Sequence, residues 1–431
     1  MVGLQAGIVL MAFVSLQPYF MWGQQKLYYA VATLIVAVSS AACYRLLLAN
    51  REPLFLSLAF SLFLLYLSVL PKVDGGYTRW FFLIPFTVAL LQLGRDPLKT
   101  VFAAFYWLFA LSLLPGMLLW TWVVAGLPID LQFMAPPGEI VQRGITEYLE
   151  FPGAVFLLSN GIVLPHGGVL FRLCGVYDEP GTVGTIAALC LAASGFRLRS
   201  IPGAIGLAAG VMSFSIAFAV LTGIGLLAAA IAQRNAWLLA ALPASILAAA
   251  IPLSGIKFGA PPPSRITITM PAEAAAASPG ARQAPAVVTP YMKPGERMLF
   301  APAPQWGLRN SPGLDSREQP RMRKLFEEYR GSPAGTLLSG IASDASIIHG
   351  WGSSVWYRIL TDFGAVGFAW LLALFAWPLW RLWRERRLDA PIVIFCVLFL
   401  MSFYQRPIIW LPAQLLIYLA GLYVPKKSTK P

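Results

Sequence analysis

The chain alternates long apolar stretches with two polar segments. Apolar runs of about 15–25 residues recur along the sequence, and a helix of that length can cross the hydrocarbon core of a bilayer. The polar segments occupy roughly residues 126–180 and 257–352. This pattern predicts an all-α polytopic membrane protein with about 12 transmembrane helices, interrupted by two large loops that contain short helices.

The changes between apolar and polar composition divide the chain into five expected parts. Residues 1–125 are expected to form an N-terminal bundle of five spans, and residues 126–180 the first loop. A segment of four spans follows at 181–256, and the second loop covers 257–352. Residues 353–431 are expected to form three further spans and a tail.

Residues 200–233 are apolar enough for one long helix or for two short ones. Arg199 and Arg234 flank this stretch, and the distribution of basic residues places both on the same side of the membrane. Only an even number of crossings satisfies that placement. The sequence therefore predicts a hairpin of two helices that turns near residues 213–215.

Charge is scarce and unevenly placed. Charged residues make up 12% of the chain, about half the share typical of soluble domains, and the mean hydropathy is +0.68. The formal net charge is +13, but about half of the Lys and Arg residues flank apolar stretches, as membrane anchors do. The charge therefore does not indicate a nucleic-acid partner. Its asymmetry predicts that both termini lie in the cytoplasm and both long loops lie outside.

The sequence offers little to a metal or a cofactor. Its four cysteines form no CxxC pair, and His166 and His349 are its only two histidines. A disulfide framework and a multi-histidine metal site are therefore not expected. No phosphate-binding glycine loop or nucleophile elbow is present either, so we expect no cofactor.

Arg172 and Glu179 stand out at the end of the first polar segment. Pro180 suits the first turn of a helix, which would place Glu179 at a helix N-terminus, where the helix dipole stabilises a carboxylate. Glu179 could then accept a proton from a sugar hydroxyl, and Arg172 could hold a phosphate through its guanidinium fork. The alternative is that Asp178 and Glu179 only cap the helix and that Arg172 binds lipid headgroups.

Short helices are expected in both polar segments. Residues 139–151 are compatible with one, and residues 315–329 predict another, with Met322, Leu325 and Tyr329 on one face. Arginines of the second segment could stabilise the charge that grows on a departing pyrophosphate. The alternative is a solvated basic loop that attracts anionic lipid. The arginines in question are Arg265, Arg297, Arg309, Arg321 and Arg323.

Further polar residues precede and enter the tenth expected span. His349 could act as a base or donate to a phosphate, although a single histidine at an interface is more often a packing residue. Asp362 lies inside the span, where a charge is costly unless it is paired. Arg358 precedes it by four residues on the same helix face and is the expected partner in a structural ion pair. Asp344 and Tyr177 are additional candidates.

These motifs resemble the O-antigen polymerase and O-antigen ligase superfamily of bacterial membrane glycosyltransferases. The run Arg172-x-x-Gly175-x-x-x-Glu179-Pro180 is similar to the signature of the Wzy-type polymerases. Residues 353–367 look like the superfamily's segment of polar start, apolar helix and final Gly-x-x-Gly. The resemblance implies a GT-C-like membrane fold whose large loops lie in the periplasm.

Two departures from the superfamily pattern bear on the reaction. Ligases of the superfamily place a histidine where this chain has Ser353, and the nearest histidine is His349. The superfamily also often has an arginine after the serine of its hairpin turn, whereas Ser215 is followed by Ile216. The missing histidine and the Glu-Pro pair favour a polymerase over a ligase.

The resemblance implies a metal-independent polymerase of undecaprenyl-pyrophosphate-linked repeat units at the periplasmic face of the inner membrane. In that reading Glu179 is the base and Arg172 holds the pyrophosphate, with Arg265, Arg321 and Arg323 assisting. Its partners would be the lipid-linked glycan, membrane lipids and a chain-length regulator. A ligase that moves glycan onto lipid A-core or protein is the first alternative. A lipid-linked glycan flippase or transporter is the second, and it predicts buried charges within the spans.

Overall fold

The computed structural model describes a largely helical chain. The described residues are 1–43, 52–73, 75–125, 127, 129–134, 148–157, 162–163, 169–243, 245–246, 266–269, 298–299, 320–348, 355–403 and 408–423.

Five helices form the N-terminal part. They are α1 (Val2–Val14), α2 (Gln25–Ala42), α3 (Glu52–Val69), α4 (Ile84–Gln92) and α5 (Arg95–Val124). Short 3₁₀ turns at Tyr19–Met21 and Trp80–Leu83 link some of them. Their buried apolar residues belong to one large core, which also takes in the helices near the C-terminus.

Three helices follow the first polar segment. They are α6 (Pro180–Ala193), α7 (Ile201–Met212) and α8 (Ile216–Gln233). Every residue of α6 is buried, and α7 and α8 both pack against it. The predicted break at 213–215 is confirmed, and the Ser215 hydroxyl accepts a hydrogen bond from the Phe218 N–H at 3.4 Å, as an N-cap residue does.

The described residues from 320 onward contain six more helices. They are α9 (Pro320–Arg330), α10 (Ala334–Ser339), α11 (Ala345–Ile348), α12 (Val355–Arg384), α13 (Ala390–Ser402) and α14 (Pro412–Gly421). The helix predicted at 315–329 is confirmed from Pro320 onward, and residues 315–319 lie outside the described residues. Leu325 and Tyr329 are buried, so the apolar face of α9 lies on the protein.

Helix α12 is interrupted at Gly364, which has a φ of 66°. The backbone of Gly340, with a φ of 89°, lies against this break, and a Cβ on Gly340 would come within 2.6 Å of the Asp362 carbonyl oxygen. A Cβ on Gly364 would overlap the Leu338 carbonyl. The Tyr66 hydroxyl donates to the freed Phe363 carbonyl oxygen at 2.8 Å. Glycine is therefore required at both position 340 and position 364, because any side chain there would collide with the facing backbone.

The polar segments are not purely helical. Five strands form one sheet in the order β3-β2-β1-β6-β7, and the short strands β4 (Ile162–Val163) and β5 (Val169–Leu170) pair separately. The five are β1 (Ile129–Met134), β2 (Tyr148–Phe151), β3 (Ala154–Leu157), β6 (Ile266–Thr269) and β7 (Met298–Leu299).

This sheet corrects two expectations. The all-α class is wrong for the polar segments, and the described end of the helix expected at 139–151 is strand β2. The reason is a non-local partner: β1 pairs parallel with β6, which places Ile129 beside Ile266. In a parallel pair, backbone N–H and C=O groups of the two strands form hydrogen bonds with each other. The pattern of apolar residues within either strand does not reveal which distant segment will be its partner. The sheet joins the first polar segment to the second.

Three helices of the described chain are long and apolar enough to cross a membrane: Arg95–Val124, Ile216–Gln233 and Arg358–Arg384. Seven shorter apolar helices accompany them. These lengths and compositions are consistent with a membrane protein.

Candidate functional site

Residues 171–179 form an irregular segment, with a turn at 175–176, that lies between α5, the end of α7 and the sheet. Its backbone is held from three sides by hydrogen bonds. The Trp120 indole donates to the Phe171 carbonyl at 2.7 Å, and Leu173 N–H donates to the Met212 carbonyl at 3.0 Å. Val155 N–H donates to the Gly175 carbonyl at 2.7 Å. The segment is therefore fixed by elements that surround it.

Gly175 is required where this segment crosses α5. Its φ is 61°, a conformation that favours glycine, and a Cβ there would lie 2.9 Å from the Leu113 side chain. A Cβ on Gly116 of α5 would in turn lie 2.8 Å from the Gly175 Cα. The two backbones are in direct contact, which explains the glycine between Arg172 and Glu179.

Arg172 is tied to the turn between α7 and α8. Its Nε donates a hydrogen bond to the Ser213 carbonyl oxygen at 3.0 Å. Ser213 is the C-cap of α7, and a cation at a helix C-terminus interacts favourably with the last carbonyls. Sequence reasoning missed this partner, because it is a backbone atom; its only sign was the predicted turn at 213–215.

Glu179 occupies the N-cap position of α6, and Pro180 is the first residue of the helix, as predicted. The Glu179 side chain makes no capping hydrogen bond to the helix. Its neighbour Asp178 is buried, and Asp178 Oδ1 accepts a hydrogen bond from the Thr182 hydroxyl at 3.0 Å. The half-buried Glu179 carboxylate therefore sits at the positive end of the α6 dipole, while Asp178 bonds to the first turn.

A buried thiol lies among these charged groups. Burial raises the pKa of Cys174 to about 12, the charge of Arg172 lowers it, and the charges of Asp178 and Glu179 raise it. The Cys174 thiol donates to the Arg172 carbonyl oxygen at 3.7 Å, and the charged residues lie on the same short segment before α6. We call Arg172, Cys174, Asp178 and Glu179 the 172–179 cluster.

Tyr177 anchors the segment rather than presenting a reactive hydroxyl. Its side chain is fully buried, and its hydroxyl shares a hydrogen bond of 2.7 Å with the Ser112 hydroxyl of α5. Its ring stacks on Phe109 with the ring centroids 5.5 Å apart. Burial raises the pKa of this phenol, so it stays neutral.

A second polar cluster lies near the start of α12. Arg358 Nε is 3.6 Å from Asp362 Oδ2, and both side chains are buried, which confirms the predicted pair. The Asp362 carboxylate also accepts hydrogen bonds from the N–H of Ser346 at 2.8 Å and from its hydroxyl at 2.6 Å. Asp344 Oδ1 accepts a hydrogen bond from the Val73 N–H at 2.8 Å. This cluster lies at α11 and the start of α12, whereas the 172–179 cluster lies on the segment that precedes α6.

Several predicted site residues cannot be placed. Arg265, Arg297, Arg309 and His349 lie outside the described residues, and so do the side chains of Arg321 and Arg323 on α9. Across the described ranges, no three His, Cys, Asp or Glu side chains lie close enough together to hold a metal ion.

No family model, curated protein or solved structure matches this chain.

Proposed function

We propose that this protein is a metal-independent glycosyltransferase that polymerises undecaprenyl-pyrophosphate-linked repeat units at the periplasmic face of the bacterial inner membrane. The observation that carries the proposal is the 172–179 cluster. It combines the Arg172 guanidinium, fixed on the Ser213 carbonyl, with the Glu179 carboxylate on one short segment that leads into the buried helix α6. A transfer from a lipid diphosphate needs both groups in one place.

Glu179 is the proposed base. The acceptor hydroxyl attacks the anomeric carbon of the donor sugar, and Glu179 takes the hydroxyl proton as the new C–O bond forms. The bond from the anomeric carbon to the pyrophosphate breaks, and its electron pair leaves with undecaprenyl pyrophosphate. The α6 dipole favours the ionised carboxylate that this step requires. One displacement of this kind inverts the anomeric centre.

Arg172 is the proposed pyrophosphate ligand. Negative charge grows on the diphosphate during bond cleavage, and a fixed guanidinium stabilises that charge without a metal. The guanidinium is held through Nε by the Ser213 carbonyl oxygen. The hydrogen bond to Ser213 fixes the direction of the group before the substrate arrives.

The second polar segment would complete the site. Pairing of β1 with β6 joins both polar segments in one sheet, which supports their location on the same side of the membrane. Arg265 directly precedes β6 in the sequence, and Arg321 and Arg323 belong to α9. These arginines would assist Arg172, and His349 would contribute to catalysis from the start of the C-terminal part.

Incubation of the purified full chain with synthetic undecaprenyl-pyrophosphate repeat units tests this function. Parallel reactions should contain or lack lipid A-core, and the products should be separated by size. Ladders that form without lipid A-core support the polymerase. A single transfer that depends on lipid A-core would instead identify a ligase, and an absence of product in both reactions would contradict a glycosyltransferase.

A transporter of lipid-linked glycans is the second candidate, and one observation favours it. The buried Arg358–Asp362 pair lies in a helix that is broken at Gly364, and transporters often bind substrate at broken helices and buried charges. Proteoliposomes with a fluorescent lipid-linked glycan test this candidate. Glycan movement across the bilayer by the unaltered protein supports it, and a glycan that stays in its original leaflet contradicts it.

A further inference from the structure

An apolar groove lies between the C-terminal end of α12 and the neighbouring helix α13. Its volume is about 330 Å³, which is at the lower end of the range for ligand pockets. The lining includes Trp380, Trp383, Leu388, Val393, Val397 and Leu400. All six of these side chains are exposed, so the groove is open at the outer surface of the two helices.

The stretch of chain that borders this groove, residues 381–389, is basic. Arg381, Arg384, Arg386 and Arg387 lie here against only Glu385 and Asp389, an excess of two positive charges. Two of the arginines hold the same acid: Arg381 Nε is 2.8 Å from Glu385 Oε1, and Arg387 Nη1 is 3.1 Å from Glu385 Oε2. The Arg381 contact is the main reason that the pKa of Glu385 is lowered.

Arg384 links the charge to the groove itself. Its guanidinium carbon lies 5.6 Å from the centroid of the Trp380 ring, which forms part of the groove wall. Arg386 is also exposed, and it adopts a φ of 53° at the turn that follows the helix. Apolar surface and positive charge therefore meet at the end of a helix that is long and apolar enough to span a membrane.

We propose that this groove binds an acyl chain of an anionic phospholipid and that Arg384 and Arg386 hold its phosphate. The occupant must be apolar along the groove and negative where the groove borders residues 381–389, and an anionic phospholipid has both properties. The arginine fork matches phosphate geometry, and tryptophans favour the membrane interface. Clusters of four or more basic residues next to a span are typical of sites for anionic lipids.

The chain contains a matched control for the charge. Arg199 lies 5.9 Å from the centroid of the exposed Trp237 ring, so it repeats the arginine–tryptophan contact of Arg384 and Trp380. Trp237 does not belong to the lining of this groove. An effect of arginine removal that depends on the groove should therefore be absent at Arg199.

Native mass spectrometry of the full chain in neutral detergent tests the proposal. Phosphatidylglycerol should be retained more strongly than phosphatidylcholine of the same chain length. Arg384→Ala and Arg386→Ala should each lower the retention of phosphatidylglycerol about fivefold, the effect of about 1 kcal/mol per basic residue. Arg199→Ala should leave retention unchanged. Equal retention of the two lipids, or an equal loss in Arg199→Ala, would overturn the proposal.

A second variant tests the groove separately from its charge. Val397→Trp fills the groove from an exposed position and leaves the arginines in place, so it should weaken retention of phosphatidylglycerol. On the unaltered protein, phosphatidylglycerol with long chains should also be retained more strongly than a short-chain form. If retention of phosphatidylglycerol changes neither with acyl-chain length nor in Val397→Trp, the groove is not an acyl-chain site. A dimer that covers the groove in place of lipid would lead to the same conclusion.

Discussion

Arg172 donates a hydrogen bond from Nε to the backbone carbonyl oxygen of Ser213, 3.0 Å away. This contact fixes one face of the guanidinium against the C-terminus of α7 (Ile201–Met212). It also joins the 171–179 segment to the turn between two helices. In the proposed reaction the same group would grip the diphosphate, so one side chain has both a structural and a chemical role.

The dual role of Arg172 leads to a prediction for Arg172→Lys. A lysine keeps the charge, but its compact ammonium cannot hold Ser213 and also present a planar fork to a diphosphate. We expect the rate of polymer formation to fall by about 10²-fold, as it does when one oriented donor to a developing oxyanion is removed. Arg330→Lys, at an exposed position of α9, is the control. Polymer ladders that form at the normal rate in Arg172→Lys would show that the reaction does not need the planar guanidinium of Arg172.

Glu179→Gln should abolish the proposed base without unfolding the protein. We expect a loss of about 10²–10⁴-fold in rate, the usual contribution of a general base. The unfolding temperature should change little, because glutamine keeps the size and shape of the Glu179 side chain at this half-buried N-cap position. The comparison variant Asp178→Ala should show the opposite balance, because it removes the oxygen that accepts the hydrogen bond from the Thr182 hydroxyl. Unimpaired catalysis by Glu179→Gln would assign the proton to another group.

The contact between Gly340 and Gly364 predicts strong sensitivity to alanine. Both glycines have a positive φ. Gly364→Ala places a methyl group against the Leu338 carbonyl, and Gly340→Ala places one against the Asp362 carbonyl. We expect each to lower the free energy of unfolding by more than about 2 kcal/mol. Gly335→Ala is the control, because nothing lies within 4 Å of the added atom. Thermal unfolding in detergent measures all three, and similar values would contradict the packed contact.

Removing one member of the buried Arg358–Asp362 pair should lower the free energy of unfolding more than replacing both members does. Arg358→Met or Asp362→Asn alone leaves one buried charge without its ionic partner, which costs about 3–5 kcal/mol. The double variant removes both charges and should recover much of that loss. Denaturant unfolding of the four proteins gives the coupling energy of the pair. Strictly additive effects would show that the two groups are not coupled.

Cysteine reactivity provides a further measurement. The pKa of Cys174 is raised to about 12 by burial, so its thiol stays protonated at mildly alkaline pH and should resist maleimide in the folded protein. Cys43 is only half-buried, with its sulfur 3.5 Å from the Met1 amino group, and it should react first. Peptide mass spectrometry after labelling identifies the modified residue. Rapid labelling of Cys174 in the native protein would contradict its burial.

The features that sequence predicted correctly are local. Arg358 and Asp362 are one helical turn apart, so their pairing follows from spacing alone. Pro180 marked the start of α6 (Pro180–Ala193), because proline is favoured in a first helical turn. The turn at 213–215 followed from the charges that flank residues 200–233.

The features that sequence missed depend on distant partners. Apolar and polar residues alternate in Ile129–Met134, and this segment forms a strand that pairs with Ile266–Thr269. The sequence around either strand does not indicate the other. A glycine inside an apolar helix is compatible with continuous helix, so the break at Gly364 becomes apparent only through Gly340. The anchor of Arg172 is a carbonyl oxygen, which every residue possesses.

The parallel pairing of β1 (Ile129–Met134) with β6 (Ile266–Thr269) imposes an order on biosynthesis. The ribosome makes α6, α7 and α8 between the two strands, so the edge of β1 that pairs with β6 stays open until residues 266–269 have been made. A nascent chain that stops before residue 266 leaves that edge available to other strands. Premature termination in this interval should therefore yield a protein that aggregates, whereas a chain that has passed residue 269 can pair β1 with β6.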